Sequence, residues 1–282
     1  MLTVNTVLEL QTAVKAWRLA GESIAFVPTM GNLHAGHLQL VNVAKTKADR
    51  AVVSIFVNPA QFGVGEDFDS YPRTEQEDQE KLEITGADIL FLPPIAEIYA
   101  PDAQTTVSVT DISKLYCGAS RPGHFNGVAT IVCKLFNMVQ PTVAVFGLKD
   151  FQQLTVIRTL VRDLNMPVQI VGVATVRETS GLAMSSRNGY LTIEEKTIAP
   201  LLYQSLITAH DAILAGNRPY PEIERQALRF LQQSGFQPDY FSVCRSSDLK
   251  KAGQEDTDLV LLAAARLGKT RLIDNICFWK GT

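Results

Sequence analysis

The sequence predicts an α/β protein built on a parallel sheet, with a smaller α+β part toward its C-terminal end. Three observations lead there. First, residues 51–58 (AVVSIFVN) are a continuous β-branched run, and shorter apolar runs recur at 24–27, 88–92, 142–146 and 168–173. Unbroken apolar runs fit strands covered on both faces. Second, stretches of helical spacing lie between those runs, and such alternation points to βαβ units. Third, proline or glycine marks many of the changes from one to the other, as at Gly21, Pro28, Pro59 and Pro93-Pro94.

In chain order, residues 6–20 form a first helix ending at Gly21. Residues 24–27 are the first strand; Pro28 stops it and Gly31 permits a turn. Residues 34–47 are helical, with Leu33, Leu38, Val41 and Ala44 on one stripe. The strand at 51–58 ends at Pro59, and a polar loop follows through Tyr71-Pro72-Arg73. A charged helix spans 75–85 and a strand 88–92. Residues 105–109 alternate as a short strand would, 118–127 (GASRPGHFNG) form a loop, and 128–139 an apolar helix. A strand at 142–146 leads into Gly147, Leu148, Lys149 and Asp150, with Asp150 placed to cap a helix at 151–164. Residues 168–173 are the last strand of this part.

A boundary near Val176 divides residues 1–175 from 176–282. Beyond it lie a polar loop at 178–189, one long helix at 193–214 and another at 219–234. Strands at 240–243, 259–265 and 271–278 make a small antiparallel sheet. This part carries no obvious catalytic cluster and reads as a lid or an oligomerisation module.

Bulk properties exclude several classes. With 282 residues, 46% of them hydrophobic, the chain can bury a sizeable core. A net charge of −3 and a pI of about 5.9 argue against a broad nucleic-acid surface. Cys117, Cys133, Cys244 and Cys277 form no CxxC pair, so buried reduced thiols in a cytoplasmic protein are expected. The first ten residues lack a basic region followed by a long apolar one, so no signal peptide is expected. No run of about 18 apolar residues suggests a membrane span.

The stretch Phe26-Val27-Pro28-Thr29-Met30-Gly31-Asn32-Leu33-His34-Ala35-Gly36-His37 draws the most attention. A strand that feeds a helix through a glycine turn leaves free amides at the helix start, where an anion is favoured. His34 and His37, three residues apart, can face one bound group, with Gly36 letting a ligand approach the backbone. Metal ligation would need partners, and only His124 and His210 remain, so no metal ligand set is assigned. Capping of the helix start and contact with phosphate both remain open for the pair, with phosphate favoured.

Other polar stretches fall at strand carboxyl ends, where open parallel sheets bind ligands. Lys149 suits a phosphate, or is an ordinary surface lysine; Asp150 is a ligand contact or only a cap. Ser185, Ser186 and Arg187 suit phosphate oxygens, or form a solvated loop. Gln61 and Gln153 suit a small hydroxylated acid, or are structural amides. Arg121 to His124 form a catalytic loop or, more often for such sequences, a rigid turn with Arg121 paired to a carboxylate. Asp78 helps a magnesium ion or sits on a solvated helix face, the second being the better reading.

PTMGNLHAGH, SIFVNPAQF, YPRT, RPGHFNGVAT, KDFQQL and MSSRNGYL occur in the order and spacing of the pantothenate synthetase (pantoate–β-alanine ligase) family, which the chain resembles over nearly its whole length. HxGH alone is shared across the nucleotidyltransferase superfamily; the combination is far more specific. The resemblance implies a Rossmann-like domain over 1–175, a closing domain over 176–282 and a homodimer. It implies ATP- and Mg²⁺-dependent joining of pantoate to β-alanine through a pantoyl-adenylate, releasing pyrophosphate and then AMP. It places Met30, Gly31, Asn32, Leu33, His34, Ala35, Gly36 and His37 on ATP, together with Gly147, Leu148, Lys149, Asp150, Val176, Met184, Ser185, Ser186 and Arg187. Catalytic charge stabilisation falls to His34, His37, Lys149, Ser185, Ser186 and Arg187; Gln61 and Gln153 hold pantoate, and Gln61 also meets β-alanine. Leu148 departs from the family's usual glutamate, which leaves any role for that carboxylate open. Two rivals stand beside this reading: an adenylating enzyme for a phosphate-bearing substrate, and a nucleotide-binding module without turnover.

Overall fold

Residues 24–29 (β2, Ile24–Thr29) lie at the centre of a six-stranded, all-parallel sheet in a computed structural model that describes residues 1–216 and 218–281. The remaining strands are β1 (Leu2–Val4), β3 (Arg50–Ile55), β4 (Ile89–Phe91), β5 (Val143–Gly147) and β6 (Gln169–Val173), in the order β1-β4-β3-β2-β5-β6. The chain winds from β2 outward through β3, then crosses to β5 on the other side of β2. That reversal opens a crevice at the carboxyl ends of β2 and β5, where doubly wound sheets bind ligands.

Helices α1 (Val7–Leu19), α2 (Ala35–Lys45), α3 (Glu75–Thr85), α4 (Ile95–Ile98), α5 (Cys117–Ser120), α6 (His124–Val139) and α7 (Phe151–Asp163) connect the strands. Each sheet face has its own core. Phe26, Val52, Phe91 and Phe146 pack with α1, α6 and α7; Val27, Val53, Leu90 and Val145 pack with α2 and α3. Alternate residues of one strand thus feed opposite cores, which is why the strands read as continuous apolar runs.

Beyond β6 come α8 (Ile193–Ile198), α9 (Leu201–Leu214) and α10 (Tyr220–Gln233). An antiparallel sheet follows, of β7 (Gln237–Arg245), β8 (Asp258–Leu267) and β9 (Thr270–Trp279), in the order β7-β8-β9. One face of this sheet shares a core with α9 and α10, centred on Leu206, Leu231 and Leu261. The other face puts Val260 and Leu262 against Phe151 at the start of α7.

Several expectations need correction. β2 continues through Pro28 to Thr29. Thr29 faces β3, since its carbonyl accepts from Phe56 N–H, so Pro28 faces β5, where pairing has already ended at Phe26. The missing proline N–H therefore costs the ladder nothing. β1, a three-residue strand at the edge of the sheet, is an addition to the expected strands. Residues 105–109 form no strand, because Val107 N–H donates to the Thr130 hydroxyl on α6 (2.9 Å) rather than to a neighbouring strand. The stretch expected as a loop at 118–127 contains α5 and the first turn of α6. The single helix expected at 193–214 is two, because Pro200 has no N–H to continue the ladder. Asp150 makes no side-chain cap bond to α7. Cys117 and Cys244 are buried, but Cys277 is exposed; all four thiols are free.

At Gly127 the backbone of α6 lies against the chain after β3. A β-carbon there would lie 2.0 Å from the carbonyl oxygen of Ala60. The helix backbone thus rests directly on the Pro59–Gln61 turn. Gly127→Ala is expected to destabilise the protein by about 1–3 kcal/mol through overpacking, read as a lower midpoint in thermal or urea unfolding. An unchanged midpoint would mean that this approach is not close.

Candidate active site at the carboxyl ends of the parallel strands

The turn after β2 is held by a buried carboxylate. Gly31 and Asn32 both have positive φ (83° and 49°), so the backbone there needs external support. Asp78 on α3 supplies it. Fully buried, its two carboxylate oxygens accept the amides of Asn32 and Leu33, each at 2.7 Å. Lys81, one turn later, donates to the Leu33 carbonyl (3.0 Å) and lies 3.8 Å from Asp78. Neither a solvated face nor a magnesium ligand describes Asp78, because both of its oxygens are occupied by backbone.

His34 is the N-cap of α2; its Nδ1 accepts from Gly36 N–H at 3.1 Å. Nδ1 of His37 receives a longer bond, 3.4 Å, from His34 N–H. The ring centroids are 4.1 Å apart. Spending Nδ1 as an acceptor leaves Nε2 as the protonated nitrogen on both rings. Burial, with Lys149 nearby, lowers the His34 pKa to about 4; burial, His34 and Lys149 lower that of His37 to about 3. The pair is therefore neutral near pH 7 and offers two N–H donors. Capping and ligand contact are not rival roles here, since they use different nitrogens. A β-carbon on Gly36 would first meet the His34 ring, at 2.8 Å, so this glycine seats the imidazole rather than merely opening the backbone to a ligand.

These histidines line a cavity of about 220 Å³ with Met30, Gly36, Gln61, Gly147, Lys149, Asp150, Gln153, Val176, Met184, Ser185, Ser186 and Arg187. Most of the residues singled out in the sequence thus converge. Gly31, Asn32, Leu33, Ala35 and Leu148 do not line it. Leu33 is in the core, Ala35 is exposed, and Leu148 packs against the core while its carbonyl accepts from Asn275. An apolar side chain at position 148 is thus accommodated, and what that residue gives the site is backbone.

Val176 and Met184 come together because residues 176–184 form a hairpin, with Met184 N–H bonded to Val176 O (3.0 Å). Arg177 fixes that hairpin on β9 through a two-pronged ion pair with buried Asp274 (2.6 and 2.9 Å). Ser186 Oγ donates to Asn32 O (3.2 Å), tying the segment to the histidine turn. Arg187 forms a two-pronged pair with Asp67 (2.9 Å on each prong), so its fork already holds a carboxylate. Lys149 has a 3.8 Å approach to Asp150. Its turn is held from the C-terminal sheet, where the Asn275 amide donates to the carbonyls of Leu148 and Lys149 (2.9 and 2.8 Å). The part beyond residue 175, which shows no obvious catalytic cluster in sequence beyond the Met184 to Arg187 segment, thus gives that segment to the cavity wall and holds the Lys149 turn from β9. A second cavity of about 280 Å³ shares Lys149, Asp150, Gln153, Ser185 and Arg187 and runs on toward β8 and β9.

The loop at 121–124 proves to be the rigid turn. Arg121 pairs with Glu66 through two bonds (2.7 and 2.6 Å), which hold that carboxyl down at about 2. Arg121 also donates to His124 Nε2, leaving Nδ1–H of His124 to donate to the Gln61 carbonyl (2.8 Å).

The supporting roles of Asp67, Asp78 and Asn275 escaped sequence reasoning. Asp78 had one available signal: it precedes Leu82, the buried apolar residue of α3, by a helical turn. Asn275 sits in a polar pair flanked by Leu272-Ile273 and Ile276, which is a weaker sign.

A doubly wound sheet whose switch point gathers a helix N-terminus, a lysine turn and a serine–arginine hairpin defines a nucleotide-binding α/β enzyme. The family model for pantoate-beta-alanine ligase matches residues 2–277. A pantothenate synthetase of Methylococcus capsulatus is 56% identical over 278 residues, covering 98% of this chain and 97% of its own. One from Shewanella loihica is 56% identical over 280 residues, covering 99% of both. The crystal structure of a pantothenate synthetase from Thermus thermophilus superposes with a TM-score of 0.92 at 43% identity, covering 98% of this chain and 99% of that one. The Francisella tularensis pantoate-beta-alanine ligase, solved in complex with beta-gamma ATP and beta-alanine, gives 0.83 at 32% identity, covering 100% and 98%. The chain belongs to the pantoate–β-alanine ligase family, and it is a ligase that forms pantothenate from pantoate and β-alanine.

Two outcomes test the site's electrostatics. Unfolded histidine binds a proton below about pH 6.5, whereas folded His34, His37 and His124 stay neutral down to about 4, 3 and 4. Their contribution to stability is therefore fully present above about pH 6.5 and is lost as pH falls from there toward about 3. The unfolding midpoint should drop across that window, and less steeply in His37→Gln; an equal slope would reject a buried neutral His37. Asp78→Asn keeps one acceptor for two amides, so stability should fall by about 1–3 kcal/mol and the KM for ATP should rise. A normal KM for ATP would separate Asp78 from the site.

Proposed function

We propose that ATP occupies the cavity at the β2/β5 crevice and activates pantoate there as pantoyl-adenylate. The carrying observation is the convergence of three phosphate-suited groups on one cavity: the His34/His37 turn, Lys149, and Ser185 to Arg187. The pantoate carboxylate attacks the α-phosphorus, one P–O bond forms, and the bond to pyrophosphate breaks. The β-alanine amine then attacks the acyl carbon, loses a proton, and AMP leaves with the bonding pair of the C–O bond. No side-chain nucleophile is needed; positioning and charge stabilisation carry the chemistry.

In this reading Nε2–H of His34 and His37, Nζ of Lys149, the Ser185 and Ser186 hydroxyls and the Arg187 guanidinium meet phosphate oxygens. Met30, His34, Gly36 and His37 lie along the nucleotide with Gly147, Lys149 and Asp150, with Val176 and Met184 beside adenine. Gln61 and Gln153 hold pantoate, and Gln61 also meets β-alanine. Magnesium would arrive on the phosphates. Among the described residues, Asp150 is the one acid lining the cavity, and it is half exposed. That suits an ion held by phosphate oxygens and a single carboxylate. Bound there, the ion neutralises phosphate charge. Residues 176–282 act as the closing domain over 1–175, and the enzyme works as a homodimer in the cytoplasm. Among the described residues, no helix is long and apolar enough to cross a membrane.

Pantoate-dependent exchange of labelled pyrophosphate into ATP, with AMP released only after β-alanine is added, tests the proposal. Lys149→Ala should lower the exchange rate by about 10²–10³ while circular dichroism stays native. Exchange without pantoate, or wild-type exchange in Lys149→Ala, would overturn it.

A further inference from the structure

Gln61 carries a side-chain amide whose two ends are not equivalent in this fold. Its Oε1 accepts from Asn58 Nδ2 at 2.9 Å. Its Nε2 has no hydrogen-bond partner among the described residues, and the side chain belongs to the cavity wall. What fixes that direction lies further back. Asn58, 1% exposed, donates through Nδ2 to Gln61 and to the Gly127 carbonyl (3.2 Å), and accepts at Oδ1 from Ala60 N–H (3.3 Å) and from the Tyr99 hydroxyl (2.9 Å). Of the two donors to Oδ1, the Tyr99 hydroxyl is the closer and comes from outside the 58–61 turn. An amide can be turned over at little cost unless its neighbours distinguish oxygen from nitrogen. Here they do: the Ala60 N–H can only donate and the Gly127 carbonyl can only accept, which settles the two ends of Asn58, and the Tyr99 hydroxyl adds the shorter bond to the same oxygen.

We propose that Tyr99 is a positioning residue that holds the chain Tyr99 O–H to Asn58 to Gln61 in place, so that the pocket presents an N–H donor to the oxygen atoms of its acid substrate. The inference rests on Gln61 holding pantoate. Each member donates toward the cavity: hydroxyl to Oδ1, Nδ2 to Oε1, Nε2 to the ligand. With its oxygen turned to Asn58, the free end of Gln61 is an N–H, which favours a carboxylate or hydroxyl oxygen. Burial pushes the Tyr99 hydroxyl up to about 12, so it keeps the proton that it shares with Asn58 Oδ1 across the working range. Its ring is held by Phe56, itself part of the cavity lining (6.2 Å between centroids), and by Lys134 Nζ at 5.7 Å from the centroid. Neither contact needs the oxygen, so phenylalanine fills the same space.

The test is a double-mutant cycle on Tyr99→Phe and Gln61→Ala, reading KM for pantoate and for ATP separately. Loss of one hydrogen bond in the chain should raise the pantoate KM about five-fold in Tyr99→Phe, with the ATP KM within about two-fold of the parent. In the Gln61→Ala background, Tyr99→Phe should add nothing further, because Tyr99 acts only through Gln61. An unchanged pantoate KM in Tyr99→Phe, beside a raised one in Gln61→Ala, would overturn the inference alone. Additive effects would overturn it too, by showing a general loosening. A normal pantoate KM in Gln61→Ala would instead remove the reading of Gln61 on which it rests.

Discussion

The buried Asp78 carboxylate governs the site. The turn at Gly31 and Asn32 runs through left-handed backbone, and two amides that would otherwise be orphaned point at Asp78. The two amide donors replace the water that the carboxylate loses on burial. The His34 cap, the His37 ring behind it and the Ser186 bond to Asn32 all depend on where that turn sits. An interaction between α3 and the β2–α2 connection thus determines where two imidazoles can stand.

The second constraint joins the two sheets. Asn275 on β9 holds the carbonyls of Leu148 and Lys149, and Asp274 beside it holds Arg177. Adjacent residues on one strand therefore fix both the lysine turn and the hairpin that carries Met184 to Arg187. The same strand belongs to a sheet whose far face has its own core with α9 and α10. Movement of that sheet must carry the Lys149 turn and the hairpin with it, or break those bonds.

What was legible in the sequence was local. Continuous β-branched runs mark buried strands, and the HxGH turn, the lysine turn and the serine–arginine segment each follow a strand that could be seen. Long-range bonds were not legible. Asp78 lies 46 positions from Asn32, and Asn275 lies 127 from Leu148, so no spacing rule links them. The break at Pro200 is readable in principle, but helical spacing on both sides outweighs it. Pro28 misleads for the opposite reason: whether a missing N–H matters depends on which neighbour it faces, and that is a property of the sheet. The amide direction of Gln61 could not be read either, since its composition is the same whichever end faces the cavity.

The Arg187–Asp67 pair has a consequence for which anions the site admits. A bare guanidinium at this position would attract any passing anion from the solvent. Here the protein carries its own counter-anion, which satisfies both prongs of the fork. Where Arg187 meets phosphate as proposed, binding a polyphosphate exchanges one partner for another. A monovalent anion offers no more than Asp67 already does, whereas a ligand with several negative charges competes better for the fork. In the proposed site the pair would thus favour polyvalent over monovalent anions.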